Sequence, residues 1–388
     1  MRGWVIKLLV VILCLGLALP ALVAADEPVT SKYNVKIWGR VKMDYIYDTA
    51  QFVNYNDFLG VPADSQATAN QTNDSTDFNG RDTRLGFSAS HDVEGWAGKG
   101  VVELDFYGTN SGDNLIPRLR LGYADLANKD WGTSFRAGQD WTPVLQLNPS
   151  TIDFGVLSAT GNLWWRRPQL TVRQEVAGGL EFLVSAMQAR RQSTASETRV
   201  PWLLGRAAYS FDLAGGKHMA AANVGYQYDK TSATANHIDR WLVGGELKFD
   251  FDPILVKGEV WYGDGIGGDF LRYGLDTYTS GGTTRAWNAW GFWADATYSI
   301  TPKWSVTAGL GVDNPDDNGY NRANISAANI NRTFTQSYNA FGNVWYTLGP
   351  DVKVGFEAMF LEAEREKANG NSFKDKGQRY TMSLYYGF

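Results

Sequence analysis

The last eleven residues, 378–388, alternate between apolar and polar side chains and end on a phenylalanine. A period of two residues is that of a β-strand with one apolar and one polar face. A chain that stops on such a strand leaves a free sheet edge, and pairing it with the first strand closes a barrel without edges. The length also matches the about 9–11 residues that a membrane-spanning strand needs. The apolar face carries Tyr380, Met382, Leu384, Tyr386 and Phe388.

Residues 33–48 show the same alternation, with ionic residues on the polar face. Val35, Ile37 and Val41 share one face, while Lys36 and Arg40 share the other. Charges facing the core of a soluble sandwich would be strongly destabilising, but they cost little when that face lines water and the apolar face meets lipid. The pattern therefore predicts an inside-out barrel with a polar lumen. The alternative, a large soluble β-sandwich or propeller, requires an interior that tolerates many lysines, arginines and carboxylates.

Sixteen segments of this kind can be counted, which predicts an all-β, membrane-spanning antiparallel β-barrel of about 16 strands. Connections after even-numbered segments are short and those after odd-numbered ones are often long, as in outer-membrane barrels with their long loops outside the cell. The predicted strands are 33–48, 81–91, 99–108, 118–127, 133–141, 168–176, 180–190, 203–213, 220–230, 240–251, 255–263, 286–300, 304–313, 333–348, 352–363 and 378–388.

The first 25 residues read as a signal peptide that is removed. Arg2 and Lys7 precede an apolar run from Leu8 to Leu19, and Val23-Ala24-Ala25 provides small residues before Asp26. The expected mature chain, 26–388, has 388 − 25 = 363 residues in a single barrel domain. The only cysteine, Cys14, is lost with the signal peptide.

Composition excludes several function classes for the mature chain. Its formal charge is (36 − 2) − 41 = −7, which argues against a nucleic-acid partner. The three histidines, His91, His218 and His237, are far apart in the sequence and none has the setting of a catalytic triad. We therefore expect no enzyme, no cofactor and no metal site, and an outer-membrane location with lipid as the outer partner.

The inward positions of the first six predicted strands carry a surplus of basic residues. Nine basic side chains oppose five acidic ones, which concentrates anions in a narrow lumen. Arginine also binds carboxylates through two parallel hydrogen bonds. The basic set is Lys36, Arg40, Lys42, Arg84, Lys99, Arg118, Arg120, Arg136 and Arg173, and the acidic set is Asp44, Glu103, Asp105, Asp140 and Glu175. Two interpretations stay open: the arginines attract small anions, or they pair with Glu103, Asp105 and Glu175 and stiffen the wall.

The connection 142–167 is unusually apolar for a loop in water. Asp153 is its only charge before Arg166. It follows the fifth strand, so it is the third long loop, and we expect it to fold into the barrel and narrow it. Asp153, Trp164 and Trp165 would then face the arginines, with Arg166 among the pore-lining residues. The alternative is a loop packed on the rim or on a neighbouring subunit.

Segments 81–89, 99–126 and 134–173 resemble the DcaP-like family of trimeric outer-membrane channels. The resemblance is carried by Arg81–Phe87, Val102–Gly108, Pro117–Arg120, Ala137–Trp141, Leu147–Gly155 and Trp165–Gln169. It implies a sixteen-stranded homotrimeric porin with an inward third loop and uptake of small anions such as dicarboxylates. It also favours Arg84, Arg118, Arg120 and Arg167 as lining residues. Some members carry an N-terminal coiled coil, whereas here only residues 26–32 separate the expected cleavage site from the first predicted strand.

The sequence thus predicts a porin, a passive diffusion channel for small hydrophilic solutes that favours small anions such as (di)carboxylates. Two alternatives remain: a general, weakly selective pore, and a structural or adhesive barrel whose lumen is plugged.

Overall fold

A computed structural model describes residues 32–53, 60–69, 71–108, 115–189, 200–230, 236–270, 276–280, 282–316, 333–367 and 369–388. The predicted signal peptide, 1–25, lies outside these residues. Within the described ranges, no helix is both long and apolar enough to cross a membrane.

Within the described ranges, sixteen strands form the barrel, as the alternation predicts. They are β1 Asn34–Asp48, β2 in two parts Ser75–Asn79 and Arg84–Val93, β3 Trp96–Asp105, β4 Arg118–Asn128, β5 Thr133–Trp141, β6 Arg166–Val176, β7 Leu180–Met187, β8 Trp202–Leu213, β9 Gly216–Asp229, β10 Ile238–Asp250, β11 Ile254–Asp264, β12 Asn288–Ser299, β13 Trp304–Pro315, β14 Gln336–Thr347, β15 Val352–Glu366 and β16 Ser372–Gly387. A separate hairpin, Thr277–Ser280 with Thr283–Ala286, lies in the connection between β11 and β12.

The sheet closes on itself through its first and last strands. Every strand pairs antiparallel with its neighbours in the chain, and β1 also pairs with β16, with Met43 opposite Leu384. The backbones of Gly39 and Phe388 exchange two hydrogen bonds at the end of this seam. Among the strands that the structure describes, closure leaves no unpaired edge in the barrel, which confirms the prediction made from the C-terminal strand.

The outer face is apolar and the inner face is polar, the reverse of a soluble protein. On β16, Met382 and Leu384 are more than half exposed, whereas Arg379 and Thr381 are buried. On β1, Ile37 is exposed, while Lys42 is 4% exposed. An apolar belt around a polar interior is the architecture of a transmembrane β-barrel.

Short turns join the strands at one rim. They comprise residues 94–95, 129–132, 177–179, 214–215, 251–253, 300–303 and 348–351. In the two-residue turns, both Glu94 and Gly95, and both Ala214 and Gly215, have positive φ, as a tight hairpin with matched twist requires. The longer connections lie at the opposite rim, which confirms the predicted alternation.

Two strands begin six residues before their predicted starts, which is the largest difference from the predicted bounds. β16 begins at Ser372 instead of 378, because Lys374 and Lys376 continue the outward face as an ionic extension paired with Glu362 of β15. An apolar criterion misses such a segment. β2 begins with an extra part, Ser75–Asn79, that pairs with β1. The strand is then interrupted at residues 80–83, where Asp82 is buried among cations of the inner face.

Candidate functional site in the barrel lumen

The inner faces of β9–β16, here called the anchoring wall, hold the connection 142–165 by its backbone. Leu145 N donates to Asn223 Oδ1 at 3.2 Å, and Leu147 N donates to Glu259 Oε1 at 2.8 Å. Ser150 N then donates to an oxygen of Asp295. The partners lie on β9, β11 and β12 in turn, so this connection runs along successive strands of the wall.

Glu357 on β15 makes the central contact of this wall. Its carboxylate accepts hydrogen bonds from Ile152 N at 2.7 Å and Asp153 N at 2.8 Å. Asn343 on β14 donates both to Glu357 and to the carbonyl of Ser150. Buried backbone N–H groups need partners, and these inward side chains supply them.

Asp153 completes the attachment next to the barrel seam. Its carboxylate accepts from Arg379 Nη1 of β16 at 2.9 Å, and Arg379 also binds both oxygens of Asp48 on β1. Lys42 Nζ of β1 donates to the carbonyl of Ile152 at 2.8 Å. Asp153 is therefore buried against β16 and β1, whereas the sequence analysis placed it opposite the arginines of β2–β6.

Apolar contacts fill the space behind these hydrogen bonds. Leu145 and Leu163 cluster with Leu242 and Trp261, and Leu157 clusters with Trp293 and Phe341. Trp261 Nε1 also donates to the carbonyl of Gly161 at 2.7 Å. The apolar composition of this connection follows from these contacts.

The inner faces of β1–β6, here called the basic wall, carry paired arginines. Asp82 is surrounded by three cations: Arg40 reaches both of its oxygens at 2.5 and 2.6 Å, Arg84 lies at 2.9 Å and Lys42 at 3.4 Å. Asp82 is almost fully buried, whereas about a fifth of each of the Arg40 and Arg84 side chains remains exposed.

Arg118 and Arg120 of β4 share the carboxylates of β3. Arg118 binds both oxygens of Asp105 at 2.7 and 3.0 Å, and Arg120 bridges Glu103 at 2.7 Å and Asp105 at 2.9 Å. Arg120 and Asp105 are buried, so Arg118, at 23% against 12% for Glu103, is the most exposed member of this group. A β-bulge between Glu103 and Leu104 shifts the register at this point.

An aromatic ring from the connection 142–165 lies against this group. Phe154 has the guanidinium carbons of Arg84, Arg118 and Arg120 at 6.0, 5.9 and 5.6 Å from its ring centroid. It stacks on Tyr107 at 4.2 Å. The sequence analysis missed Phe154 because an aromatic residue inside an apolar loop carries no signal of an arginine contact.

Arg166 and Arg167 lie where the connection 142–165 ends. The guanidinium of Arg166 is buried among the rings of Trp141, Trp164 and Trp165 at 4.9, 5.8 and 5.4 Å. Arg167 lies 6.0 Å from the Trp165 ring. The rings contribute cation–π attraction to these charges.

A cavity of about 330 Å³ separates the start of the connection from β4–β7. Arg136 and Arg173 line it, together with Tyr123 and Gln146. Arg136 is paired with Asp125 at 2.9 Å and Asp140 at 2.6 Å. Arg173 lies 3.4 Å from Glu181 on the neighbouring strand, a carboxylate outside the set that the sequence analysis offered to the arginines.

Nine of the predicted lining residues fall into two groups, while Glu103, Trp165 and Arg167 are half-buried. The side chains of five arginines keep between 21 and 32% of their surface exposed; these are Arg40, Arg84, Arg118, Arg136 and Arg173. Four others are buried and contact neighbouring side chains instead of the lumen; these are Asp105, Arg120, Asp153 and Arg166. Glu357 and Glu259 were missed, although each stands at an inward position between apolar outward ones, as in Phe356-Glu357-Ala358.

Comparisons with known proteins bear on the fold. No protein-family model and no curated protein matches the chain. Among solved structures, the outer membrane channel DcaP of Acinetobacter baumannii has a TM-score of 0.77 at 22% identity, over 92% of this chain and 97% of that one.

Two further structures are similar. An anion-selective porin from Comamonas acidovorans has a TM-score of 0.61 at 14% identity, over 92% of this chain and all of that one. The trimer form of OmpT from Vibrio cholerae has a TM-score of 0.58 at 12% identity, over 92% and 99%. These likenesses confirm the outer-membrane porin fold that the sequence resemblance implies.

Proposed function

We propose that this protein is a passive diffusion channel of the outer membrane, with a preference for small anions such as dicarboxylates. Solutes would move down their gradient, so no reaction and no cofactor take part. The porin fold supports the channel, and the chemistry of the basic wall supports the preference.

The observation that carries the preference is the unequal exposure of two ion pairs on the basic wall. Arg118 is 23% exposed while its partner Asp105 is fully buried, and Arg84 is 21% exposed beside Asp82 at 5%. The guanidinium groups stand nearer the lumen than the carboxylates that hold them. A solute would therefore meet donors first, and a guanidinium offers five N–H groups suited to a carboxylate.

A constriction formed by the connection 142–165 is part of the same proposal. Its backbone contacts along the anchoring wall support a path inside the barrel. On that path the connection would cover the anchoring wall and leave the exposed arginines of the basic wall open to the lumen. Glu259, Asp295 and Glu357 accept hydrogen bonds from its backbone N–H groups. Carboxylates occupied in this way offer less attraction to cations in transit.

The test is the reversal potential of single channels in planar bilayers under a salt gradient. We expect the wild type to favour anions and the double variant Arg84→Gln/Arg118→Gln to lose most of that preference. Lys303→Gln, in an exposed turn at the short-turn rim, is the control and should change nothing. Equal preferences in the double variant and the wild type would leave these arginines a purely structural role.

The same recordings separate the alternatives. A general pore conducts with little ion preference, and a plugged structural or adhesive barrel does not conduct. A selective channel is blocked by a dicarboxylate but not by the corresponding uncharged diamide.

We also propose that the channel is a homotrimer. The solved OmpT structure is a trimer form, and the sequence resemblance is to trimeric channels. Native mass spectrometry of the detergent-purified protein should give three times the monomer mass, whereas a single-chain mass would contradict the proposal.

A further inference from the structure

The lumen cavity of about 330 Å³, between the connection 142–165 and β4–β7, has an apolar side. Leu121 and Leu183 line it from the barrel wall, and Pro143 and Leu145 line it from the connection. The inner face of a porin lines water and is polar. Apolar side chains on the wall of such a cavity therefore point to a solute with an apolar part, and the channel proposal does not use them.

Leu121 faces the cavity because of the β-bulge between β3 and β4. The register shifts between Glu103 and Leu104, so that Leu121 lies opposite the inward Glu103. Arg120 is the extra residue of the bulge, and a bulge redirects the side chains next to it. The bulge thus places an apolar side chain at an inward position directly after two arginines.

Leu183 on β7 is the second apolar residue of the wall. Its neighbours Phe182 and Val184 are 47 and 61% exposed on the outer face, whereas Leu183 is 2% exposed and lines the cavity. Arg173 of β6 and Arg206 of β8 lie opposite it on the two adjacent strands. An apolar contact and a cation are therefore available side by side.

Three aromatic rings complete this surface. Tyr123, Trp141 and Trp164 line the cavity, and the last two rings lie 5.9 Å apart. Flat apolar surfaces of this kind pack well against a further ring. A dry cavity of about 150 Å³ holds benzene, so the lumen cavity has room for one ring and a substituent.

The charges of the cavity favour a solute with a single carboxylate. Arg136 lies 2.9 Å from Asp125 and 2.6 Å from Asp140, so two carboxylates offset its charge. Arg173 has Glu181 at 3.4 Å as its one ionic partner among the described residues, and 32% of its side chain is exposed. Arg173 is thus available to one carboxylate, and Asp140 in the same lining repels a second.

We propose that the lumen cavity binds monocarboxylates with an aromatic or branched apolar body of about the size of benzoate. The carboxylate lies on Arg173, and the body packs against Leu121 and Leu183. This inference rests on the proposed channel and adds a second solute class to the dicarboxylates, because the groups that carry the anion preference, Arg84 and Arg118, do not line the cavity.

The experiment is a fluorine NMR titration of para-fluorobenzoate with the full-length protein, purified in an uncharged detergent. Benzoate, acetate, benzamide and terephthalate then compete with the fluorinated probe. Acetate lacks the ring, benzamide lacks the charge, and terephthalate adds a second carboxylate. We expect benzoate to bind at least about tenfold more tightly than acetate or benzamide, because ring burial and the charge-assisted contact each contribute about that factor. Terephthalate should also bind more weakly than benzoate.

Four variants locate the site. Arg173→Gln should make benzoate bind no more tightly than benzamide. Leu183→Asn should weaken benzoate about tenfold and leave acetate unchanged, because it removes apolar contact at similar volume. Leu121→Asn, at a half-buried position, tests the same contact if Leu183→Asn does not fold. Lys303→Gln, in an exposed turn, is the control and should retain every ratio.

Other results would overturn the inference. Equal affinities for benzoate and acetate, or an unchanged ratio in both leucine variants, remove the apolar contact. An unchanged benzoate affinity in Arg173→Gln removes the carboxylate contact. Terephthalate that binds as tightly as benzoate contradicts the preference for one carboxylate. Loss of para-fluorobenzoate binding in Arg84→Gln/Arg118→Gln, which should keep it, would move the site out of the cavity.

The channel and the cavity site can fail separately, because the titration needs no ion current. A protein that binds benzoate with the expected ratios but does not conduct contradicts the channel alone. An anion-preferring channel that binds benzoate and acetate equally contradicts the cavity site alone.

Discussion

The two walls of the lumen use buried charge in opposite ways. On the anchoring wall, carboxylates such as Glu259 and Glu357 accept hydrogen bonds from backbone N–H groups of the connection 142–165. On the basic wall, carboxylates such as Asp82 and Asp105 hold arginines whose side chains remain partly exposed. One wall fixes a segment of chain, and the other presents cations.

The difference shows why an inward charge on a barrel strand has no single meaning. A carboxylate accepts hydrogen bonds from whichever donor lies close enough, either a peptide N–H or a guanidinium. Charges left exposed after that pairing determine the field in the lumen. The following substitutions test this contrast.

Asp82→Asn should have the largest effect, because it removes the carboxylate shared by Arg40, Lys42 and Arg84. We expect the free energy of unfolding to fall by about 3–5 kcal/mol, the range for breaking a buried ion pair. Urea titration in lipid vesicles measures it. Asp92→Asn, at an exposed position of the same strand, is the control. A loss no greater than that of the control would mean that the basic wall does not depend on this cluster.

Glu357→Ala should release part of the connection 142–165. It leaves Ile152 N and Asp153 N without their acceptor, which we expect to lower the free energy of local opening by about 3 kcal/mol. Hydrogen exchange at these two amides should accelerate, and single-channel conductance should rise. Glu362→Ala on the same strand, where the side chain faces outward, is the matched control. Unchanged exchange rates at both amides would show that this carboxylate is not an anchor.

Arg136→Gln should have the smallest effect, since it changes one charge at the lumen cavity and leaves the fold intact. A unit charge about 4 Å from a passing ion contributes about 1 kcal/mol in water, so the anion-to-cation permeability ratio should fall about fivefold. Reversal potentials measure that ratio. Lys374→Gln, on the outer face, should leave it unchanged. A similar fall in both variants would point to the net charge of the protein and not to the cavity.

Much of the barrel could be predicted from local pattern. Residues 33–48 and 378–388 carry their two faces in plain alternation, so the inversion, the strand type and the closure followed directly. The start of β16 could not be predicted in this way, because above the apolar belt its outward face is ionic and Lys374 is stabilised by Glu362 from the next strand. An ion pair between two strands produces no recognisable pattern in the sequence of either strand alone.

The site was predicted in its residue types but not in its partners. Inward parity named Asp105 among the carboxylates open to the arginines, and Asp105 pairs with Arg118. It did not name Glu181, which lies next to Arg173 on the neighbouring strand. The contact of Phe154 with the arginines could not be predicted from the sequence either. Each of these depends on register between strands, which is set by the sheet as a whole.

By itself the sequence determined which side chains face outward and which face the lumen, because a strand has a period of two and the apolar and polar residues alternate with that period. The tertiary structure alone decided which inward charges are buried in ion pairs or hydrogen bonds and which stay exposed to the lumen. That outcome depends on where the connection 142–165 lies and on which strand stands opposite each arginine, and both are distances between residues far apart in the chain.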